Sequence, residues 1–392
     1  MKPKRVLISG VGIAGPALAY WLVRLGYRCT LVERGARLRE GGQAVDFRGP
    51  VHRAVLDRMG LWEAIGERRT PRVPLTFLDR DGGTAAVLPD FVTSGDVEIL
   101  RGDLSHLLYD RVADDVETRF GDSIRSLNET GEAVEAELES GHRESFDLVI
   151  GAEGLRSRVR ALTFPGEESV VHHGYRCVGF SAPRLVDGSR GTVVYSVPGR
   201  SVSVSSSSVL FVFAGPPWAE NERNPQAAKE VVRRTYANDA WEVPQLLDAL
   251  DRATDPYFDS IGTVDVPSYS RGRVALVGDA AYGGTLGGQG TPLALIGAYV
   301  LAGELARAAG DHRMAFSAYE ARMRPFATGC QVGAKRAGGF HAPKTRVGLF
   351  LRNRMYGLLA SPLFVSYFEK LVKKQASDFE LPSYDLGESA AA

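Results

Sequence analysis

The chain has 392 residues, which allows two or three domains and a large core. Lys plus Arg equals Asp plus Glu at 47 each, with no long single-sign block, which argues against nucleic acid as a partner. Three cysteines, Cys29, Cys177 and Cys330, lie far apart in neither disulfide-framework nor metal-ligand spacing, so no zinc or other metal site is indicated and a reducing cytoplasm is expected.

Taken in order, residues 6–15 read VLISGVGIAG: a short apolar run that predicts a buried strand, then a glycine turn. PALAYWLVRLG follows with helical spacing, and TLVER, ending in Glu33 and Arg34, predicts a second strand, completing a βαβ unit. Gly10 permits the turn, Gly12 lets the backbone approach a pyrophosphate, and Gly15 lets helix and strand pack closely. Ile13 and Ala14 open the helix, whose free N–H groups would take the phosphates. Glu33, about 20 residues on, is placed for a ribose diol. Lys2, Lys4 and Arg5 before an uncharged run imitate a secretion signal, but the glycine turn and Pro16 favour the folded reading.

Residues 35–50 are rich in Gly and charge and read as a loop beside the nucleotide site, with Arg48 as a ligand-touching candidate. A helix is expected over 51–65, a hairpin turning at Asp81-Gly82, and a helix over 98–112 with Arg101 near its start. SFDLVIGAEGLRSRVR then breaks from a strand at Gly151 into a turn and helix, a second candidate nucleotide contact. From 170 to 266 strand-like alternation dominates, with a helical insert over 225–250. This predicts a sheet with one covered face that could wall a pocket. VALVGDAAYGGTLGGQG brings an apolar strand, Gly278-Asp279 and a glycine-dense turn into another helix, a geometry for polyol and phosphate contact. Past Gly310 the chain reads as helical, with Pro362 dividing it. Its apolar residues, Val347, Leu349, Phe350, Leu351, Met355, Leu358, Leu359, Leu363, Phe364, Phe368 and Leu371, are expected to pack across a domain junction. No membrane span is expected, and the tail after Leu381 reads as frayed.

Together these three loops resemble the fingerprints of the flavoprotein aromatic-hydroxylase family, the single-component FAD-dependent monooxygenases that include p-hydroxybenzoate hydroxylase and tetracycline-inactivating enzymes. The resemblance implies an α/β fold: a Rossmann-like FAD-binding domain, a mostly antiparallel β-sheet substrate domain and a C-terminal helix. The boundaries it suggests are 1–70, 96–170 and 268–340 for FAD, 71–95 and 171–267 for substrate, and 341–380 for the C-terminal helical segment. Gly10, Gly12, Ile13, Ala14, Gly15, Glu33, Arg34 and Arg101 would hold FAD, with Gly154, Arg160, Gly278 and Asp279. Gly288, Gln289, Gly290 and Thr291 complete that set. Arg48, Tyr282 and Leu286 would stand at the reacting end, and Arg176, Tyr195 and Phe213 would face substrate.

The implied reaction uses NADPH or NADH as a transient co-substrate and dioxygen. A flavin 4a-hydroperoxide would hydroxylate, epoxidise or Baeyer–Villiger oxidise an aromatic, enolic or polyketide-like small molecule, in a cytoplasmic monomer or homodimer. Two features depart from the family. Glu153 replaces an aspartate, and Leu286 replaces a proline in a third loop one residue short. That loop favours a rival reading, an FAD protein that sequesters a small molecule without oxygenation.

Overall fold

The computed structural model describes residues 3–90, 94–166, 169–182, 185, 188–254, 256–286, 289–361 and 379–387. Its first layer is a six-stranded sheet, in order β17 (Ser270–Arg271), β18 (Val274–Leu276), β11 (Leu148–Gly151), β1 (Arg5–Ser9), β2 (Arg28–Glu33) and β7 (Glu117–Phe120). All pairings are parallel except β17 with β18. Val6, Ile8, Val149 and Ile150 are fully buried, as parallel strands covered on both faces must be. The helix α1 (Ala14–Arg24) packs on this sheet and against α9 (Gly290–Arg307). α9 is apolar nearly all round and buried over most of its length, so it forms the central pillar.

The second layer is a seven-stranded sheet, in order β16 (Tyr257–Val264), β12 (Val170–Ser181), β15 (Ser208–Ala214), β14 (Arg200–Val204), β13 (Thr192–Val197), β4 (Leu75–Leu78) and β5 (Thr84–Leu88). Only β13 with β4 is parallel. One face is covered by α6 (Pro225–Tyr236) and α7 (Val243–Arg252), through Val202, Phe211, Phe213, Tyr236 and Leu246. The opposite, inner face meets two long helices. α10 (His312–His341) reaches Tyr175, Cys177 and Val212 through Ala337, and α11 (Arg346–Leu359) reaches Phe77 and Val194 through Tyr356. Both faces are therefore buried, where the sequence predicted one.

Smaller elements complete the chain: α2 (Gly49–Arg58), α3 (Trp62–Glu67), α4 (Arg101–Asp110), α5 (Arg158–Thr163), α8 (Asp279–Tyr282), the ribbon of β3 (Ala44–Phe47) with β6 (Val97–Leu100), and a sheet of β8 (Ile124–Glu129), β9 (Val134–Leu138) and β10 (Arg143–Phe146). Several expectations change. The Gly-rich loop contains β3, residues 97–100 are strand rather than helix, and the helix expected over 51–65 divides around Gly60, whose φ is +65°. On α11 five of the apolar residues expected to pack, Val347, Phe350, Leu351, Met355 and Leu358, are exposed, Leu349 and Leu359 are half-buried with Leu359 against the cluster of Phe77 and Tyr356, and Arg352 and Tyr356 are buried. Over residues 382–387 the tail is not frayed: Tyr384 fills the space above Gly303 and Leu386 is fully buried. Pro362, Leu363, Phe364, Phe368 and Leu371 lie outside the described residues. Among the described residues no helix is long and apolar enough to cross a membrane.

Candidate active site

The first loop separates its glycines by what surrounds them. Gly10 has φ +106°, and a Cβ there would lie 2.5 Å from the Ala152 carbonyl oxygen. A Cβ on Gly15 would lie 1.9 Å from the Gly10 carbonyl oxygen. The polypeptide itself demands those two glycines. A Cβ on Gly12 meets nothing within 4 Å, so Gly12 borders open space at the N-terminus of α1. That N-terminus has no side-chain cap, with Ile13 and Ala14 at its opening, and its first-turn amides form a natural anion site. Glu33 Oε2 accepts from the Val11 amide at 2.9 Å and Oε1 from the Gly35 amide at 2.8 Å. A carboxylate offers about four lone-pair sites, so it retains capacity for a ribose diol. Arg34 is exposed beside it.

Three elements meet the same space. Ser105 of α4 donates to the Gly12 carbonyl at 3.0 Å, which sets the start of α4, with Arg101, beside the loop. Arg101 is exposed, and its guanidinium has no hydrogen-bond or ionic partner among the described residues. Gly278, at φ +65°, fits between α1 and α9, where a Cβ would touch those of Ala14 and Ala294. It delivers Asp279, whose carboxylate also lacks a hydrogen-bond partner among the described residues. Burial raises the Asp279 pKa, and the Arg101 charge opposes that rise. Gly290, at the start of α9, lies against Asp279, with Gln289 and Thr291 on either side. Gly288 lies outside the described residues.

An uncapped helix N-terminus, a free guanidinium and an unpartnered carboxylate around one opening suit a ligand with phosphates and a polyol. The donor set fits FAD: α1 and Arg101 would hold its pyrophosphate, Glu33 its adenosine ribose and Asp279 its ribityl hydroxyls.

The middle motif supports this cradle from behind. Glu153 is a bracket, accepting from Ser9, Ser157 and the Val159 amide. Arg160 is buried and donates to the carbonyls of Ala280, at 3.0 Å, and Leu155, so it fixes the Gly278-Asp279 turn rather than reaching a phosphate. Gly154 sits at φ +82° with open space beside it.

The third loop links the two layers. The Thr285 amide donates to the Gly262 carbonyl of β16 at 3.0 Å, and its hydroxyl accepts from the Gly262 amide and donates to the Ser260 carbonyl at 3.0 Å. The Val264 amide donates to Gly283 at 2.9 Å, and Gln331 of α10 donates to Val264, Tyr282 and Gly283. Leu286 follows at φ +57° and packs against the inner-face cluster around Cys177 and Ile261.

The sequence matches the FAD binding domain family over residues 4–331. It is 36% identical over 337 residues to a flavin-dependent monooxygenase of Legionella longbeachae, covering 82% of this chain and 85% of that one. The chain belongs to the FAD-dependent monooxygenases. An uncharacterized Mycobacterium tuberculosis protein is 40% identical over 341 residues, covering 82% of this chain and 90% of its own. The crystal structure of the tetracycline destructase Tet(51) superposes with a TM-score of 0.82 at 32% identity, covering 98% of this chain and 99% of that one.

Five more residues named from the sequence have the following surroundings in this monooxygenase. Tyr282 is buried beneath α9, its hydroxyl accepting from Tyr319 at 3.1 Å, so it is a packing residue under the loop rather than a reacting group. Arg48 is ion-paired with Asp46 of β3. Arg176, Tyr195 and Phe213 all face α6 and α7, away from the FAD cradle. Arg176 donates to the Pro216 and Pro217 carbonyls and pairs with Glu222. Tyr195 stacks on Trp241 at 5.4 Å, and Phe213 meets Trp218 edge-on at 6.2 Å. The inner face instead carries the other parity: Cys177, Leu210, Val212, Ser201 and Ser203. The SVSV pattern of β14 held that signal, because its valines pack outward and leave its serines inward.

Proposed function

We propose that this FAD-dependent monooxygenase uses NADPH or NADH and dioxygen to place one oxygen atom on an aromatic, enolic or polyketide-like small molecule. Hydroxylation, epoxidation and Baeyer–Villiger insertion all fall within this reading. In this division of labour residues 1–70, 96–170 and 268–340 hold FAD, and 71–95 with 171–267 hold the substrate.

The observation that carries it is the lacing of the third loop to β16, since a dinucleotide anchored at Gly12 and Asp279 would run toward the inner face of the seven-stranded sheet. Bound FAD, reduced by the nicotinamide, supplies the oxygen-activating chemistry. The chain's own part is positioning. The α1 N-terminus and Arg101 neutralise phosphate charge, and Asp279 orients the ribityl chain. Leu286 and the apolar inner cluster exclude water where oxygen transfer would occur. The likeness to a tetracycline destructase supports a polycyclic, enol-rich substrate.

The test is to supply FAD-loaded protein with NADPH or NADH, dioxygen and a panel of phenols, polycyclic enols and tetracycline. Substrate-stimulated nicotinamide oxidation with a product heavier by one oxygen atom is expected. Nicotinamide oxidation that no member of the panel stimulates, with every compound recovered unchanged, would overturn the reading.

A further inference from the structure

The helix α11 is held from one side. Tyr356 is 4% exposed and packs with Phe77 and Val194, and Leu359 joins the same cluster. Arg352 is buried on that side and donates to the Phe340 carbonyl at 3.1 Å, the His341 carbonyl at 3.0 Å and Ser196 at 3.2 Å. Thr345 caps the start by accepting from the Gly348 amide at 3.0 Å. These contacts fix which side turns away from the sheet. That side carries Val347, Phe350, Leu351, Met355 and Leu358, whose three- and four-residue intervals place them on one face. They are 66%, 66%, 59%, 50% and 56% exposed, in that order. Single exposed apolar side chains need no explanation, but five large ones on one face of a helix already apolar on its covered face do.

The charge along this segment has one sign. Residues 321–361 contain no Asp or Glu, although the chain has 47. Arg346 opens α11, and Arg354 stands within the apolar stripe, four residues before Leu358 and three after Leu351. Both are exposed, and neither has a hydrogen-bond or ionic partner among the described residues. Whatever covers the face must therefore take apolar side chains and cations together. A second copy docked about a two-fold axis would bury the cations of both copies with no acid of α11 to pair them. An anionic lipid surface accepts both: the acyl region takes the apolar side chains, and the long Arg stems reach up to headgroup phosphates.

We propose that the free face of α11 is a peripheral docking surface for an anionic membrane, with Phe350, Leu351 and Leu358 entering the boundary between headgroups and acyl chains and Arg346 and Arg354 bound to lipid phosphates. The helix lies in the plane of that boundary. Its 14 residues rise about 21 Å, short of the roughly 30 Å of hydrocarbon that a span would need. This surface goes beyond the monooxygenase reading and does not depend on it.

Co-sedimentation of the whole FAD-loaded chain with vesicles of phosphatidylcholine and phosphatidylglycerol, and with vesicles of phosphatidylcholine alone, tests it. Wild type is expected to partition onto the anionic vesicles about tenfold or more above the neutral ones, and less so as salt is raised. The double variant F350S/L358S is expected to melt within a few degrees of wild type, since both side chains are exposed, and to lose about tenfold or more in partition. R346Q/R354Q is expected to lose about tenfold on anionic vesicles and nothing on neutral ones. Partition unchanged in both variants would overturn the proposal by placing any lipid contact elsewhere. Absence of wild type from the anionic vesicle pellet would overturn it too, and the variants then identify the true occupant. A dimer in sedimentation velocity that F350S/L358S dissociates assigns the face to a second copy. A monomer whose melting temperature falls by more than a few degrees in F350S/L358S assigns it to another segment of the same chain. A monomer that melts unchanged leaves it to a soluble partner.

Discussion

A Cβ on Gly12 has open space around it, whereas one on Gly15 would strike the Gly10 carbonyl at 1.9 Å, and this difference separates ligand-facing from packing glycines. Gly12→Val is therefore expected to melt within a few degrees of wild-type apoprotein while purifying without flavin colour. Gly15→Ala should lower stability by about 1–3 kcal/mol, the usual cost of overpacking, and flavin absorbance with thermal melting reads both outcomes. Asp279 makes a pH prediction. Burial lifts its folded-state pKa above the ordinary 3.8, so just above 3.8 the folded apoprotein binds more protons than the unfolded chain. Stability contributed by the protonated form is complete below that value and is lost as pH rises through the folded-state pKa. Asp279→Asn removes the ionisation. Apoprotein of that variant should melt higher than wild type at neutral pH, with the gap closing toward acid, and should bind FAD about tenfold more weakly. A wild-type FAD affinity would remove Asp279 from the cofactor site.

Strands and helices inherit their roles from which face they present. Arg176, Tyr195 and Phe213 share the outer parity of the seven-stranded sheet, so they hold α6 and α7 in place. Phe213→Ala is expected to cost about 3–5 kcal/mol in denaturant unfolding yet leave KM of the folded enzyme unchanged. A KM shift greater than about tenfold would place substrate on the outer face. The tail behaves as an element too, although it has no regular structure. Tyr384 is 8% exposed, closes over Gly303 and donates to Glu304 at 2.5 Å, while Arg322 pairs with the same carboxylate. Tyr384→Phe should lose about 1 kcal/mol and Tyr384→Ala about 3–5 kcal/mol, measured by chemical denaturation. Equal losses would mean that the ring contributes nothing beyond its hydroxyl.

At the scale of the molecule, the third loop couples the Gly278-Asp279 turn to the seven-stranded sheet through Thr285, Gly283 and Gln331. Thr285→Val removes the hydroxyl that bonds Ser260 and Gly262 but leaves Gly12 and Asp279 untouched. FAD affinity should stay within about twofold while the flavin absorbance bands shift and kcat falls by about tenfold, as misplacement near reacting groups predicts. An unchanged spectrum and kcat would show that this lacing does not reach the flavin. The βαβ unit and the GD turn were legible in the chain because they are local, whereas FAD followed from the resemblance that three separate loops carry together. Turn glycines, strand runs and a carboxylate at a fixed offset lie within about 30 residues and act through backbone geometry. Which helices cover each side of the seven-stranded sheet was not legible, since both faces are buried and apolar residues occur at both parities. Only the packing of α6 and α7 on one face, and of α10 and α11 on the other, decided it. For the same reason Tyr282 read as a reacting group and Arg352 as one basic residue among several. A side chain's neighbours come from distant segments, and burial, the property that changes its chemistry, exists only once those segments meet.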